Sequence, residues 1–215
     1  MNAYGVKNLL YQDFDISAGT NAAGSLTKWY RNTIFPDALE LEQNGGPDAY
    51  ITMMQDLDKI PVGSDGLITL PYFAGERTPI NDPLARGILF GLTRQHMYRS
   101  ALESVAYSVN QQLKIMLEHD VPIDQIFAVG GGVKNDLWMQ IVADVTGKEI
   151  STPAITVGAS FGDALMAASG IKYSGFESFN KLTDFIKPGK TYHPNKENHE
   201  AYKKYQNIYD SLYPV

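Results

Sequence analysis

The sequence contains no cysteine, which removes disulfides, thiolate nucleophiles and cysteine-based zinc sites at once. Its four histidines, His96, His119, His193 and His199, show no HExxH spacing, so they read as scattered surface or capping residues rather than metal ligands. No apolar run approaches the length of a membrane span, and Asn2 to Asn8 is too polar for a secretory signal; a cytoplasmic protein is expected. Positive charge is in deficit, with 18 Lys and Arg against 24 Asp and Glu. The formal charge of -6 gives no electrostatic basis for binding nucleic acid or an anionic membrane surface, and leaves room only for a local basic pocket for phosphate. With 44% hydrophobic and 20% charged residues over 215 positions, the chain has an ordinary globular composition and can bury a sizeable core, in one large domain or two small ones.

The most informative stretch runs from Ile126 to Gly147. Ile126 to Val129 is short and apolar enough for a buried strand, three consecutive glycines follow, and Leu137, Ile141 and Val145 then recur at helical spacing. Asn135 or Asp136 can cap the helix, and Gly147 can end it. Gly130, Gly131 and Gly132 let a flat or charged ligand lie directly on backbone, beside the unpaired N–H groups and positive dipole end of the helix. The competing reading is a strand-to-helix turn whose glycines only relieve crowding. The turn alone does not choose between them.

Elsewhere, Leu9 to Ile16 has the alternation of a strand or hairpin arm, and Ser17 to Gly24 is a small-residue turn. A helix through Leu26, Trp29, Tyr30 and Ile34 should stop before Pro36. Gly19 and Gly24 have GxxxxG spacing, but Ser25-Leu26 stands where a phosphate loop needs Lys followed by Ser or Thr. Asn44 to Pro47 is a break, with Pro47 suited to the first turn of a helix over Ala49 to Leu57. Leu67 to Phe73 reads as a short strand that Pro71 confines to an edge or bend. Residues 74–91 form an irregular connection in which Glu76, Arg77, Asp82 and Arg86 pair to order a loop.

Thr93 can cap the longest helix, Arg94 to about His119, roughly 39 Å in length; Glu103 and Asn110 on it read as surface or network residues. Glu149-Ile150 can start a returning edge strand. Val157 to Ser169 is a small-sided helix suited to close packing inside the protein, Ser174 to Gly189 a loop with a short amphipathic piece, and Glu197 to Tyr213 a helix whose packed face carries Tyr202, Tyr205, Ile208, Tyr209 and Leu212.

Taken in order, Ala23-Gly-Ser-Leu-Thr-Lys-Trp29, Leu70-Pro-Tyr-Phe-Ala-Gly-Glu-Arg-Thr-Pro79, Asp82-Pro-Leu-Ala-Arg-Gly87, Phe90-Gly-Leu-Thr93, Leu102-Glu-Ser-Val-Ala106, Gly130-Gly-Gly-Val-Lys-Asn135 and Asp144-Val-Thr-Gly147 resemble the C-terminal half of the FGGY carbohydrate kinases. Each piece is weak alone; their order and spacing carry the likeness, which covers nearly the whole chain. The Gly75-Glu-Arg-Thr-Pro79 segment looks most like xylulokinases and less closely like gluconokinases.

The resemblance implies an α/β, actin-like or ribonuclease-H-like ATPase lobe, with a mixed sheet flanked by helices and residues 1–215 as the nucleotide-binding domain. It implies ATP and Mg²⁺ as cofactors. Backbone at the positions of Gly131 and Asn135 would meet the adenine end, Gly24 the phosphates or ribose, and Lys28 the nucleotide. Lys28 departs from the glutamine of glycerol kinases, and both a phosphate contact and solvent exposure stay open for it. Family members are about twice as long. The sugar pocket, the magnesium-binding carboxylate and the catalytic aspartate are expected upstream of Met1, so no catalytic or metal-binding residue is assigned here and the small-molecule sugar would be held through that N-terminal domain.

The expected parent is a kinase for D-xylulose, with a gluconokinase-like activity as the alternative. A second alternative is a non-catalytic nucleotide-sensing or protein-interaction module. No nucleic acid or membrane partner is expected, and a homodimer stays open.

Overall fold

A single long helix carries the core. The computed structural model describes residues 4–7, 14–17, 23–73, 82–85, 87–90, 94–123, 125–154, 159–173, 175, 182 and 184–212, and in it α4 (Arg94–Glu118) is buried at every position from Tyr98 to Ser108. A helix enclosed all round must present small residues where neighbours come closest. Ala101, Ser104 and Ala106 do so, and Ser100 lets Thr69 approach to a 2.7 Å hydroxyl contact. Serines inside the helix stay satisfied by bonding back to the preceding turn, Ser100 to Met97 O and Ser104 to Ala101 O.

Around α4 the elements follow in chain order. β1 (Tyr4–Lys7) and β2 (Phe14–Ser17) form an antiparallel hairpin with Lys7 opposite Phe14. Then come α1 (Ala23–Thr33), α2 (Pro36–Gln43) and the short α3 (Ala49–Met53). β3 (Ile68–Leu70) pairs antiparallel with β4 (Ile88–Phe90). Beyond α4, β5 (Ile126–Phe127) leads through a one-turn 3-10 helix, Gly131–Lys134, into α5 (Asp136–Thr146). β6 (Ile150–Pro153), α6 (Ala159–Gly170), β7 (Pro188–Tyr192) and α7 (Lys196–Leu212) complete the chain. β6 is the central strand of a mixed three-stranded sheet, parallel to β5 and antiparallel to β7. α5 and α7 pack on α4, and their apolar faces join one continuous core with Tyr30, Tyr72, Tyr98, Ile141, Tyr202 and Tyr209.

Several expectations need correction. α1 stops before Pro36 as expected, but Pro36 also begins a further helix, α2, since a residue without an N–H is tolerated at a helix start. Pro47 is outside α3, because Asp48 takes the cap and accepts from Tyr50 N at 2.7 Å; α3 ends at Met53, and Leu57 falls in a separate 3-10 turn. β5 is not a buried strand: it is an edge, with Phe127 and Val129 exposed. β1 and β7 form where polar composition hid them. Among the described residues of α6, Leu165 and Ser169 are buried, but Ala164, Ala167 and Gly170 are exposed and a Cβ at Gly162 would meet nothing within 4 Å, so those small side chains do not serve close packing; Gly158 lies outside the described residues. On α7 the packed face is Tyr202, Gln206 and Tyr209, with Tyr205 half-buried against the core as expected, while Ile208 and Leu212 face outward.

Glu103 and Asn110 are both network residues, and Glu103 is wholly buried rather than superficial. Of the loop-ordering set, Glu76, Arg77 and Arg86 lie outside the described residues, as do Gly19 and Thr93; Asp82 accepts from Leu84 N at 2.7 Å to shape a local turn.

Candidate functional site

The glycine turn sits where β5 ends and α5 begins, and its three glycines differ in why they lack side chains. Gly130 has φ 95° and ψ -171°, a backbone state essentially reserved for glycine. Gly132 lies against Trp138, whose ring would be 3.1 Å from an added Cβ. Trp138 cannot retreat easily, because its indole N–H donates to Leu102 O at 3.1 Å on α4. Gly131 has neither constraint: its φ is ordinary and no described atom stands within 4 Å of a Cβ built there.

The same holds for Gly24 in the first turn of α1, where the added Cβ also meets nothing. Glycine in a helix costs about 1 kcal/mol relative to alanine, and no described neighbour requires it there. Bare backbone facing open space is what a closely approaching ligand would use.

The N–H groups of Gly131 and Gly132 precede the first ladder bond of the 3-10 turn, which runs from Val133 N to Gly130 O at 3.4 Å, so they project outside it. Asn135 then caps α5, accepting from Trp138 N at 2.9 Å through Oδ1. Its Nδ2 donates to Met54 Sδ at 3.1 Å. Both ends of the amide are thus engaged within the protein, and so is the backbone, whose N–H donates to Gly132 O at 3.1 Å and whose carbonyl accepts from Met139 N at 3.1 Å. Of the two capping residues open from sequence, Asn135 takes the role.

Asp136 instead turns toward β7. Lys190 Nζ lies 2.8 Å from each of its oxygens and Tyr192 Oη donates to Oδ1 at 2.6 Å. The Lys190 ammonium, then the Tyr192 hydroxyl, hold the Asp136 carboxyl below the usual carboxylate range. Burial and the neighbouring Asp136 charge push the Tyr192 hydroxyl up to about 12.

Lys28 follows Gly24 by four residues on α1, so the two share a face. Lys28 is exposed and carries no ion pair among the described residues. The turn and the α1 pair are linked through α3: Arg31 of α1 stacks over Tyr50 at 5.3 Å, while Met54, which caps the other end of α3, touches Asn135. The positions expected from sequence therefore fall on two elements that share one neighbour.

Sequence reading missed Met54 and the Asp136–Tyr192–Lys190 cluster. The only signal for the second was two capping residues in tandem, one of them surplus. Among the described residues no three His, Asp or Glu side chains converge to hold a metal, and no helix is long and apolar enough to cross a membrane.

Residues 3–171 match the C-terminal domain of the FGGY family of carbohydrate kinases. Among curated proteins, the chain is 33% identical over 199 residues to a xylulose kinase of Staphylococcus xylosus, covering 90% of this chain and 39% of that protein. It is 30% identical over 203 residues to a gluconokinase of Bacillus licheniformis, covering 92% and 39%. Among solved structures, the xylulose kinase from Rhodospirillum rubrum superposes with a TM-score of 0.77 at 27% identity, over 93% of this chain and 39% of that one. The chain spans about two fifths of the length of each of these relatives.

Proposed function

The chain belongs to the FGGY family of carbohydrate kinases, and from that premise we propose that residues 1–215 are the ATP-holding lobe of a kinase that transfers the γ-phosphoryl group to a hydroxyl of D-xylulose, giving xylulose 5-phosphate. The observation that carries the nucleotide assignment is Gly131, a glycine that neither its backbone angle nor any described neighbour demands. In this reading the adenine lies on backbone at Gly130, Gly131, Gly132 and Asn135, and Gly24 and Lys28 meet the sugar-phosphate end. Gluconate is the second substrate in view, because the Bacillus licheniformis relative is a gluconokinase with similar identity and coverage.

ATP supplies the phosphoryl group, and such transfer depends on alignment and charge neutralisation more than on covalent help from the protein. What supports an adenine nucleotide at the turn is the open backbone at Gly131, the N–H groups of Gly131 and Gly132 that precede the 3-10 ladder, and the positive end of α5 that follows. These residues orient the nucleotide. Lys28 would place a positive charge on the phosphates, and closing against a second lobe would exclude water. The described residues do not by themselves make a Mg²⁺ site; the ion would travel with the nucleotide and ligands outside this chain. The aspartate that takes the sugar proton is assigned to the other lobe. We place the protein in the cytoplasm, where ATP is the available donor.

Calorimetry of the 215-residue chain with ATP, beside a coupled assay of ADP release with D-xylulose and with gluconate, tests the reading. The expected result is nucleotide binding without sugar-dependent turnover, and turnover with one of the two sugars when the longer kinase is assayed. Absence of ATP binding would overturn the site, and sugar-dependent turnover by this chain alone would overturn the two-lobe assignment.

A further inference from the structure

The glycine turn is tied to the sheet at both of its ends. On the entry side β5 is paired with β6 through Ile126 and Ile150, and Ala128 N donates to Ser151 O at 2.8 Å just before the turn. On the exit side Asp136, first residue of α5, is gripped from β7 by Tyr192 and Lys190. β7 is itself paired with β6, Tyr192 standing opposite Ile150. The connections close a ring through β5, the turn, Asp136, β7 and β6. Asn135 already fills the helix cap, so the Asp136 carboxylate is not consumed by capping.

We propose that Asp136, held by Tyr192 and Lys190, is a positioning residue for the adenine nucleotide. It fixes the end of α5 relative to the end of β5, and so the direction in which the N–H groups of Gly131 and Gly132 face the ligand. The proposal rests on the reading of this turn as the nucleotide site. Tyr192 is the dominant member: it is 9% exposed and its hydroxyl bond is short and charge-assisted. The Lys190 side chain is 66% exposed, so its attraction is screened. The core contacts of α5 through Trp138, Met139 and Ile141 lie elsewhere, which separates aiming the turn from holding the helix.

Calorimetric titration of the chain with ATP, together with amide hydrogen exchange on the nucleotide-free chain, tests this. Tyr192→Phe and Asp136→Ala should each weaken ATP binding about three- to tenfold, as misorientation of a preorganised site does. The double variant should be no weaker than the weaker single one. Asp136→Asn, which keeps an acceptor for Tyr192, should stay within about twofold of the parent. In both disruptive variants exchange at the bonded amides of Val133 and Asn135 should accelerate while α4 keeps its protection.

Unchanged affinity and exchange in Tyr192→Phe and Asp136→Ala, with the parent binding ATP, would overturn the inference and leave the site standing. Loss of protection in α4 as well would make the cluster a general stability element and overturn it too. A parent chain that binds no ATP would overturn the reading of the turn, and the inference with it.

Discussion

Tyr202 of α7 donates its hydroxyl to Glu103 Oε1 of α4 at 2.9 Å, and both side chains are withdrawn from solvent. The same carboxylate accepts from Arg99 Nε at 3.0 Å, Gly63 N at 3.1 Å and Ser64 Oγ at 2.9 Å. Arg99 in turn donates to Leu57 O and to the Tyr202 hydroxyl. Burial pushes the Glu103 carboxyl up, and the Arg99 charge opposes it.

A buried charge with its partner removed is strongly destabilising, so Glu103→Ala should lower unfolding free energy by about 3–5 kcal/mol. Tyr202→Phe removes one hydroxyl from a network that keeps its ion pair, and should cost about 1–2 kcal/mol. Urea denaturation of the two variants checks the order; equal losses would show that the ion pair contributes nothing beyond the tyrosine.

Gly130 and Gly131 should respond oppositely to side chains. Gly130→Ala forces a φ of 95° on a residue with a Cβ and should destabilise by about 1–3 kcal/mol. Gly131→Val has room, so it should leave the melting temperature nearly unchanged while weakening ATP binding at least tenfold, about 1.4 kcal/mol. Thermal unfolding paired with ATP calorimetry separates the two. Unchanged affinity in Gly131→Val removes that residue from the site.

Asp144 ties α5 to the start of α7. Its Oδ1 accepts from Gln140 Nε2 and Asn195 N, each at 2.8 Å, and its Oδ2 accepts from Asn198 Nδ2 at 2.9 Å. Asp144→Asn must turn an NH₂ toward one of these donors, and should destabilise by about 1–3 kcal/mol although the shape is conserved. Denaturant unfolding checks it, and a loss below about 0.5 kcal/mol would contradict the donor count.

The Asp136 cluster sets a pH dependence with a definite sign. Its carboxyl is held low by Lys190 and Tyr192, so its contribution is complete above the unfolded-state value of about 4 and is lost as pH falls through the lower folded value. The melting-temperature difference between the parent and Asp136→Asn should therefore be present at pH 7 and shrink from about pH 4 downward. With the side chain 62% exposed, that difference should be of the order of 1 °C. A difference that grows on acidification would contradict the assigned charge state.

Local chemistry was legible in the sequence. Helical spacing placed α4 and α5, and the end signals of α5 hold, with Asn135 capping it and Gly147 ending it in the left-handed conformation expected of a helix stop. Three adjacent glycines marked the turn, because backbone freedom is a property of the residue itself. Tertiary contact decided what each glycine is for: Gly132 yields to Trp138, Gly130 to its own dihedral, and Gly131 to no described neighbour. It also decided that Asn135 caps while Asp136 reaches β7 54 residues away. Such pairings depend on where the chain returns in space, and neither periodicity nor composition records that.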